Sequence, residues 1–541
     1  MMRPFVCLLL SCVLAASTAS AQSTSPLLID RNRTDRAQPM PPLTVEPAIK
    51  QGVVSVAAED EGQAAAPIRG IRFEGGPVPQ RVARAAEAFL GKPARKAVIQ
   101  QVAQAMAAAY AKTSVALYTV VVPAQDLGTG HLRILVAEGF IEGVTITGDI
   151  EDGPVALVKN YAARLTLEKP LTRATLERYL SLIRDIPGLT LDAKLLVGTR
   201  PGGVRLVLGL KQRGHDFAFG FNNRTTTLVG NGQFDASAKF YGLLREGDEA
   251  DLAASSAIDF NEYRYISLSH STPLGADGLR ATLVGAYLTT RPRHSAIHGN
   301  AKLAGLTFSY PLIRSYKRNL TLSGGIDGLN SENAAFGSLI ASERTRALRL
   351  AAGFSDQGPR HALSAGVTLS QGLDILGARV IAPLAETGFT KVNARAAIDR
   401  ALGKKVVLRI RASGQTTRDR LPAAERFAVG GAEFGRAFDT AILNGDRGYA
   451  GLGELAWRPI AAKTLSGSEL YAFVDGARVH IATRGLLPGG DFDLASAGGG
   501  VRFAWRDKAT IELEAARSID RPYAGYGDAW RFSLGWTLSL K

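Results

Sequence analysis

The chain has 541 residues, with 64 Lys and Arg against 49 Asp and Glu for a formal charge of +15, and two cysteines. An excess of this size suits a nucleic acid, an anionic membrane surface or a channel with a cationic lining, and two cysteines exclude a disulfide-rich scaffold. No apolar run after residue 21 approaches the ~20 residues of a membrane helix; the clearest, Ala281 to Leu288, has eight.

A membrane-embedded form would therefore have to be a closed β-barrel, because only helices and closed barrels satisfy every main-chain group in lipid. Residues 1–21 read as a secretory signal peptide, with Arg3 in a short charged region, an apolar Phe5 to Ala15, and Ala19-Ser-Ala21 as the small-residue cleavage site. Leu9-Leu-Ser-Cys12 has too little apolar sequence before it to be a lipoprotein signal. Cleavage before Gln22 removes both Cys7 and Cys12, so the mature chain is expected to hold no thiol, disulfide or Cys-based metal site. Its charge falls only to +14, since Arg3 is the one charged residue lost. Export argues against a nucleic-acid partner. Residues 22–66 are polar and carry Pro26, Pro39, Pro41, Pro42 and Pro47, the composition of a linker.

A βααββ order follows. Ile68 to Phe73 reads as a strand, Val82 to Leu90 and Arg95 to Ala111 as helices, and Val115 to Val122 and His131 to Ala137 as two strands. The order recurs in Ile141 to Thr147, Gly153 to Arg164, Thr172 to Ile186, Leu189 to Val197 and Val204 to Leu210. Matching units side by side mark an internal repeat, with bounds at 67–139 and 140–213. From Gly214 to Lys541 the chain alternates with period two between Gly-, Asp- and Asn-rich breaks. Val406, Leu408, Ile410 and Ala412 share one face, opposite Arg409 and Arg411; Trp530, Phe532, Leu534, Trp536, Leu538 and Leu540 share another. Such alternation over ~10 residues is the mark of a membrane barrel strand.

Long motifs punctuate this region. Leu421-Pro-Ala-Ala-Glu-Arg-Phe427 leads into Val429-Gly-Gly431, then Phe434-Gly-Arg-Ala-Phe-Asp439 and Gly445-Asp-Arg-Gly448, ending in Glu454-Leu455. Phe473-Val-Asp475 lies further on, with Phe308-Ser-Tyr-Pro-Leu-Ile-Arg314, Ser370-Gln-Gly-Leu-Asp-Ile-Leu-Gly377 and Gly498-Gly-Gly-Val-Arg-Phe503 elsewhere in the barrel. In the repeats stand Pro123-Ala-Gln125, Gly130-His-Leu-Arg-Ile134, Glu138-Gly139, Lys169-Pro-Leu-Thr172, Leu176-Glu-Arg178 and Asp185-Ile-Pro-Gly188.

Together these motifs resemble the two-partner secretion transporters of the outer membrane (TpsB type, haemolysin and filamentous-haemagglutinin secretion and activation proteins) over residues 67–541. The resemblance implies two periplasmic POTRA domains, at 67–139 and 140–213, followed by a sixteen-stranded antiparallel transmembrane β-barrel over 214–541. It implies that the sixth extracellular loop folds back into the barrel as a latch built from Gly430, Gly431, Gly435, Arg436, Phe438 and Asp439. Arg436 would pair with Asp475 on the wall, beside Phe473. Ala437-Phe438 stands where the family has Gly-Tyr or Gly-Phe, which changes the loop tip. The resemblance further implies that Leu27 to Gln38 forms a short helix plugging the lumen. A disordered tail is the competing reading, since a dozen polar residues make a marginal helix.

The implied partner is a secreted client with an N-terminal secretion domain. An exposed POTRA edge could take it by β-augmentation, with Val115, Leu117, Val120, Pro123 and Gln125 as candidate client-binding residues; packing in the core is the competing role for an apolar residue such as Val120. Other implied partners are outer-membrane lipid and lipopolysaccharide, and the barrel-assembly machinery. Ser533-Leu-Gly-Trp-Thr-Leu-Ser-Leu540 resembles the signal that machinery reads, with Lys541 in place of the usual terminal aromatic. An outer-membrane protein assembly factor of the same superfamily and a passive porin are the rival functions. No zinc or nucleophile-elbow motif occurs in a supporting context; His294 and His298 fall in a Pro-containing loop rather than on a helix. No catalytic residue, metal or cofactor is expected.

Overall fold

In the computed structural model, residues 52–57, 66–149, 153–225, 230, 232–293, 295–336, 338–460, 462, 464–465 and 467–540 are described. The segments read as a signal peptide, residues 1–21, and as a possible plug, Leu27 to Gln38, lie outside them. The chain divides into a unit holding the two repeats and a unit holding the barrel.

The first repeat runs β2 (Gly70–Glu74), α1 (Gln80–Glu87), α2 (Lys96–Tyr110), β3 (Tyr118–Val122) and β4 (His131–Glu138), preceded by β1 (Gly52–Val56). Helix α2 buries Ile99, Val102, Ala103, Met106 and Tyr110, an i, i+3, i+4, i+7 stripe. It packs on Val120, Val122, Leu132, Ile134 and Val136 from the sheet. Sheet order is β1-β3-β4-β2. Strand β1 falls inside the stretch read as linker: its five residues carry too little periodicity to signal a strand, and β3 supplies the partner that the sequence does not reveal.

The second repeat runs β5 (Phe140–Asp149), α3 (Val155–Thr166), α4 (Arg173–Arg184), β6 (Leu189–Val197) and β7 (Gly203–Gln212), in sheet order β5-β7-β6. Its motifs have structural causes. Thr172 caps α4 by accepting the Thr175 N–H, a cap worth about 1 kcal/mol. Leu171 is buried and its carbonyl accepts the Ala116 N–H at 2.9 Å, so this segment ties the repeats together. Pro187 cannot continue the helix, and Gly188 turns with φ 74°. Glu142 takes the Thr199 hydroxyl and, at 2.8 Å, the Thr199 N–H; these bonds pull its carboxyl down to about 2.

Sixteen antiparallel strands, numbered on in chain order, then close into a barrel between His215 and Leu540. The last strand, β25 (Arg531–Leu540), pairs with the first, β8 (His215–Asn222). Leu268, Leu283, Leu350, Leu455, Val474, Leu513 and Phe532 stand exposed on the outer face. Ser255, Thr290, Arg349, Lys391, Asn393, Gln415 and Glu454 are buried, all on the lumen side. Apolar-out and polar-in is the arrangement a lipid-facing wall requires. Among the described residues no helix is long and apolar enough to cross a membrane.

Candidate functional site

The loop between β18 (Val406–Thr417) and β21 (Arg447–Trp457) folds into the lumen. Its short hairpin, β19 (Phe427–Val429) and β20 (Leu443–Gly445), is antiparallel. Phe427, Val429, Phe434 and Phe438 form one buried cluster with the inward side chains of β22 (Glu469–Ile481), among them Tyr471, Phe473 and Val479. Gly430, Gly431 and Gly435 hold φ of 109°, 96° and 73°, which other residues adopt only at a cost. They close the tip through Gly430 N–H to Phe434 O at 2.9 Å and Gly431 N–H to Gly435 O at 3.2 Å. Phe438 is fully buried, its ring 5.3 Å from that of Tyr526, and Asp439 accepts from Arg531 at 2.7 Å.

Arg436 is buried against the wall, and its contacts divide between main chain and side chain. Its N–H donates to Asp475 Oδ2 at 3.1 Å. Its guanidinium passes over the Phe473 ring, 4.6 Å from the centroid. From there Nη1 reaches Glu454 Oε2 at 3.0 Å and Glu514 Oε2 at 3.1 Å. The expected side-chain pairing of Arg436 with Asp475 is thus replaced: the short aspartate side chain meets the loop's main chain, and the longer guanidinium travels on to two glutamates.

Strand register explains this choice. Glu454 on β21 sits opposite Phe473 on β22. Glu514 lies on β24 (Ala509–Asp520), two strands beyond β22, across from Gly500 on β23 (Gly490–Trp505). A Cβ at Gly498 would stand 2.9 Å from Phe473 Cε1, and one at Gly500 would stand 2.6 Å from Tyr471 Oη. The Gly498-Gly-Gly500 run therefore lets both rings lie flat on β23 and opens the path to Glu514. Tyr471 Oη donates across it to Glu514 Oε2 at 2.8 Å.

The glutamates are shared. Glu454 also holds Arg409 at 2.7 Å and Arg502 at 2.7 Å, and Glu514 holds Arg224 at 3.0 Å. Arg502 covers the Tyr471 ring at 3.8 Å. Four arginines and the glutamates interleave in a lumen that water only partly reaches, where each contact is worth more than on an open surface. A second cluster holds the loop base. Glu425, fully buried, pairs with Arg349 at 2.9 Å and Lys391 at 2.9 Å. Asp446 accepts the Leu421 N–H and the Ala482 N–H, both at 2.8 Å, and the Arg484 guanidinium.

Sequence reasoning missed Glu425, Asp446, Glu454 and Glu514 as loop anchors. The first three lie inside motifs already singled out, where an acidic residue among apolar and glycine neighbours is the signal that could have found them. Glu514 gives no such signal, because only barrel closure brings β24 near the loop.

In the first repeat, Val115, Leu117 and Val120 are buried. Gln125 bonds the Arg133 main chain on both sides, accepting its N–H and donating to its carbonyl, each at 2.8 Å. These side chains are occupied within the domain, and Pro123 is half-buried in the turn after β3.

Comparison with known proteins agrees with this architecture. Residues 204–503 match the family described as haemolysin secretion/activation protein ShlB/FhaC/HecB, and residues 66–139 match the ShlB-type POTRA domain. CdiB from Escherichia coli has a similar structure at TM-score 0.70 and 18% identity, covering 95% of this chain and 96% of that one. CdiB from Acinetobacter baumannii gives 0.61 and 17%, covering 98% and 97%. BamA from Haemophilus ducreyi lacking POTRA domains 1–3 gives 0.55 and 13%, covering 88% and 100%. No curated protein sequence matches.

Proposed function

Because the chain belongs to the haemolysin secretion/activation family (ShlB/FhaC/HecB) of outer-membrane two-partner secretion transporters, we propose that it exports one large partner exoprotein through its barrel. The observation that carries this reading is the lumen loop, a hairpin packed on the inward wall and tied there by Arg436, Glu425 and Asp446. A loop so placed fills the route a client would take. Its attachment is an apolar cluster on the wall together with separate ion pairs at tip and base, contacts that a second arrangement of the loop can exchange. The POTRA pair captures the client's N-terminal domain in the periplasm by adding it to a sheet edge. Export then draws on client folding outside, since a folded product cannot slide back. No catalytic step is part of this scheme. The wall meets lipid and lipopolysaccharide through its outer apolar face, and β25 is the segment offered to the barrel-assembly machinery.

The test is secreted partner per folded barrel, with folding scored by heat-modifiable mobility. Arg436→Ala and Glu514→Gln should both lower export while leaving the folded fraction intact. Wild-type export from both variants would refute the loop's role.

A further inference from the structure

The wall carries charge on its outer face as well as in its lumen. Strands β14 (Arg318–Ala335) and β15 (Ser338–Gly358) are joined on the same side of the barrel as the loop that enters the lumen, because alternate connections of an antiparallel wall share a side. That side is the extracellular one. On β15, Thr345, Ala347 and Arg349 are buried toward the lumen, while Leu348 and Leu350 stand 43% and 54% exposed. Parity therefore turns Arg344 and Arg346 outward with these leucines. Arg379, from the connection after β16 (His361–Gly372), donates its N–H to Arg344 O at 2.9 Å and accepts the Arg344 N–H at 2.7 Å. Directly opposed residues share a face, so three arginines meet on the outer surface.

Their height follows from the strand. The same outward file reaches Asp356, ten residues beyond Arg346. At ~3.3 Å per residue and a tilt of ~40° those residues climb roughly 25 Å, the height of the apolar band of a membrane barrel. Asp356 thus marks the periplasmic rim, and Arg344 and Arg346 stand at the outer one.

The two rims differ in how their charge is met. Asp356 pairs with Arg318 and with His361, each at 2.8 Å. Among the described residues no carboxylate pairs with Arg344, Arg346 or Arg379. Arg346 donates to Asn330 Oδ1 at 3.0 Å, Thr345 O at 2.7 Å and Leu376 O at 3.2 Å, neutral oxygens that take three of its five N–H groups. Arg379 donates to Ser342 Oγ at 2.7 Å, and Arg344 Nε is shut from water with no acceptor. The neighbouring Glu343 accepts the Ala423 N–H of the lumen loop at 3.1 Å and so faces the other way. Gly328, opposite Arg346, helps to place the cluster: a Cβ there would stand 3.0 Å from Arg346 Cδ, so glycine lets this side chain lie flat across β14.

We propose that Arg344, Arg346 and Arg379 bind a phosphate of lipid A, the acylated and doubly phosphorylated glucosamine disaccharide of lipopolysaccharide, whose acyl chains then lie on Leu348 and Leu350. This rests on the reading of the outer face as the surface that meets lipopolysaccharide. Three cations without a counter-charge repel one another, and beside hydrocarbon water screens them poorly. An anion among them completes the arrangement, and guanidinium forks match phosphate oxygens. The outward direction and the headgroup height favour a lipid over the exported client, which travels on the lumen side.

The full-length protein in nonionic detergent is titrated with bisphosphoryl lipid A, and bound lipid is counted by native mass spectrometry. Wild type should hold one tightly. Replacing Arg344, Arg346 and Arg379 together by Gln removes three cations, each worth roughly fivefold beside an anionic surface, and should weaken binding on the order of a hundredfold with the heat-modifiable band intact. A matched triple at the periplasmic rim, Arg318→Gln, Arg360→Gln and Arg400→Gln, should bind like wild type, and neither phosphatidylglycerol nor inorganic phosphate should displace the lipid. If the outer triple does not fold, Arg379→Gln alone, in an exposed connection, should weaken binding roughly fivefold. Unchanged affinity in the outer-rim variants, equal losses in the two triples, or displacement by either competitor overturns the assignment. Lost export with unchanged lipid A binding would give these arginines to the client instead and overturn it too. Folded protein that inserts into phosphatidylcholine vesicles yet ignores lipid A refutes the site alone, whereas failure to insert refutes the lipid-facing wall on which the site rests.

Discussion

Arg436→Ala removes two ion pairs, at 3.0 Å to Glu454 and 3.1 Å to Glu514, whose side chains are almost wholly buried. It also removes the cation over Phe473. Orphaning a buried charge costs about 3–5 kcal/mol, but neither glutamate is orphaned here. Glu454 keeps Arg409 and Arg502, and Glu514 keeps Arg224 and the Tyr471 hydroxyl. What is lost is the coupling of one shared cation, of order 1–3 kcal/mol. At about 2 kcal/mol the loop's opening equilibrium rises roughly thirtyfold. Ala437 is buried behind Arg436, and the only two cysteines lie in the segment read as the signal peptide. The labelling rate of an Ala437→Cys reporter by a maleimide therefore measures opening. Arg436→Ala should raise that rate about thirtyfold. Adding Glu514→Gln should add little, as partners in one interaction behave. Adding Asp475→Ala should act nearly additively, because Asp475 holds the N–H of residue 436, which Arg436→Ala leaves in place. If Arg436→Ala couples to Asp475→Ala as strongly as to Glu514→Gln, the division between main-chain and side-chain contacts is refuted.

Further outcomes can be checked on the same protein. Gly498→Ala should sharply lower the heat-modifiable fraction, since its Cβ would strike the Ala515 carbonyl and the Phe473 ring, an overpacking cost of about 1–3 kcal/mol; Gly453→Ala, with nothing within 4 Å, should fold normally. Glu425→Gln leaves Arg349 and Lys391 short of a buried carboxylate and should lower the temperature at which the folded band is lost, by the equivalent of about 3 kcal/mol. The Glu142 carboxyl is lowered from 4.5 to about 2, so its stabilisation is fully present above pH 4.5 and fades as pH falls toward 2. The excess protection of the Thr199 amide in wild type over Glu142→Gln, read by hydrogen exchange, should be constant above pH 4.5 and vanish near 2. A difference that grew on acidification would overturn that assignment.

Much of this protein was legible in local pattern. Period-two alternation fixed which side of each wall strand meets lipid: Arg409 turns inward and Ile410 outward as their parity requires. The doubled βααββ order marked the two repeats, and Lys169-Pro-Leu-Thr172 and Asp185-Ile-Pro-Gly188 stood out as motifs, because the cap and the turn they form are written in a few adjacent residues. Neighbouring side chains determine such features, so they survive without tertiary information.

The partners of Arg436 were not of this kind. That a buried arginine in the loop needs carboxylates follows from its charge; which ones receive it depends on the register of four strands and on the flat rings above Gly498 and Gly500. Glu514 enters only when β24 closes beside β23. Strand β1 was likewise settled at a distance, because Gly-Val-Val-Ser-Val is too short to declare a strand and becomes one on the β3 edge. Local periodicity carries the energy of a face turned toward or away from water, whereas the choice among ion partners and sheet edges turns on distances that exist only after closure.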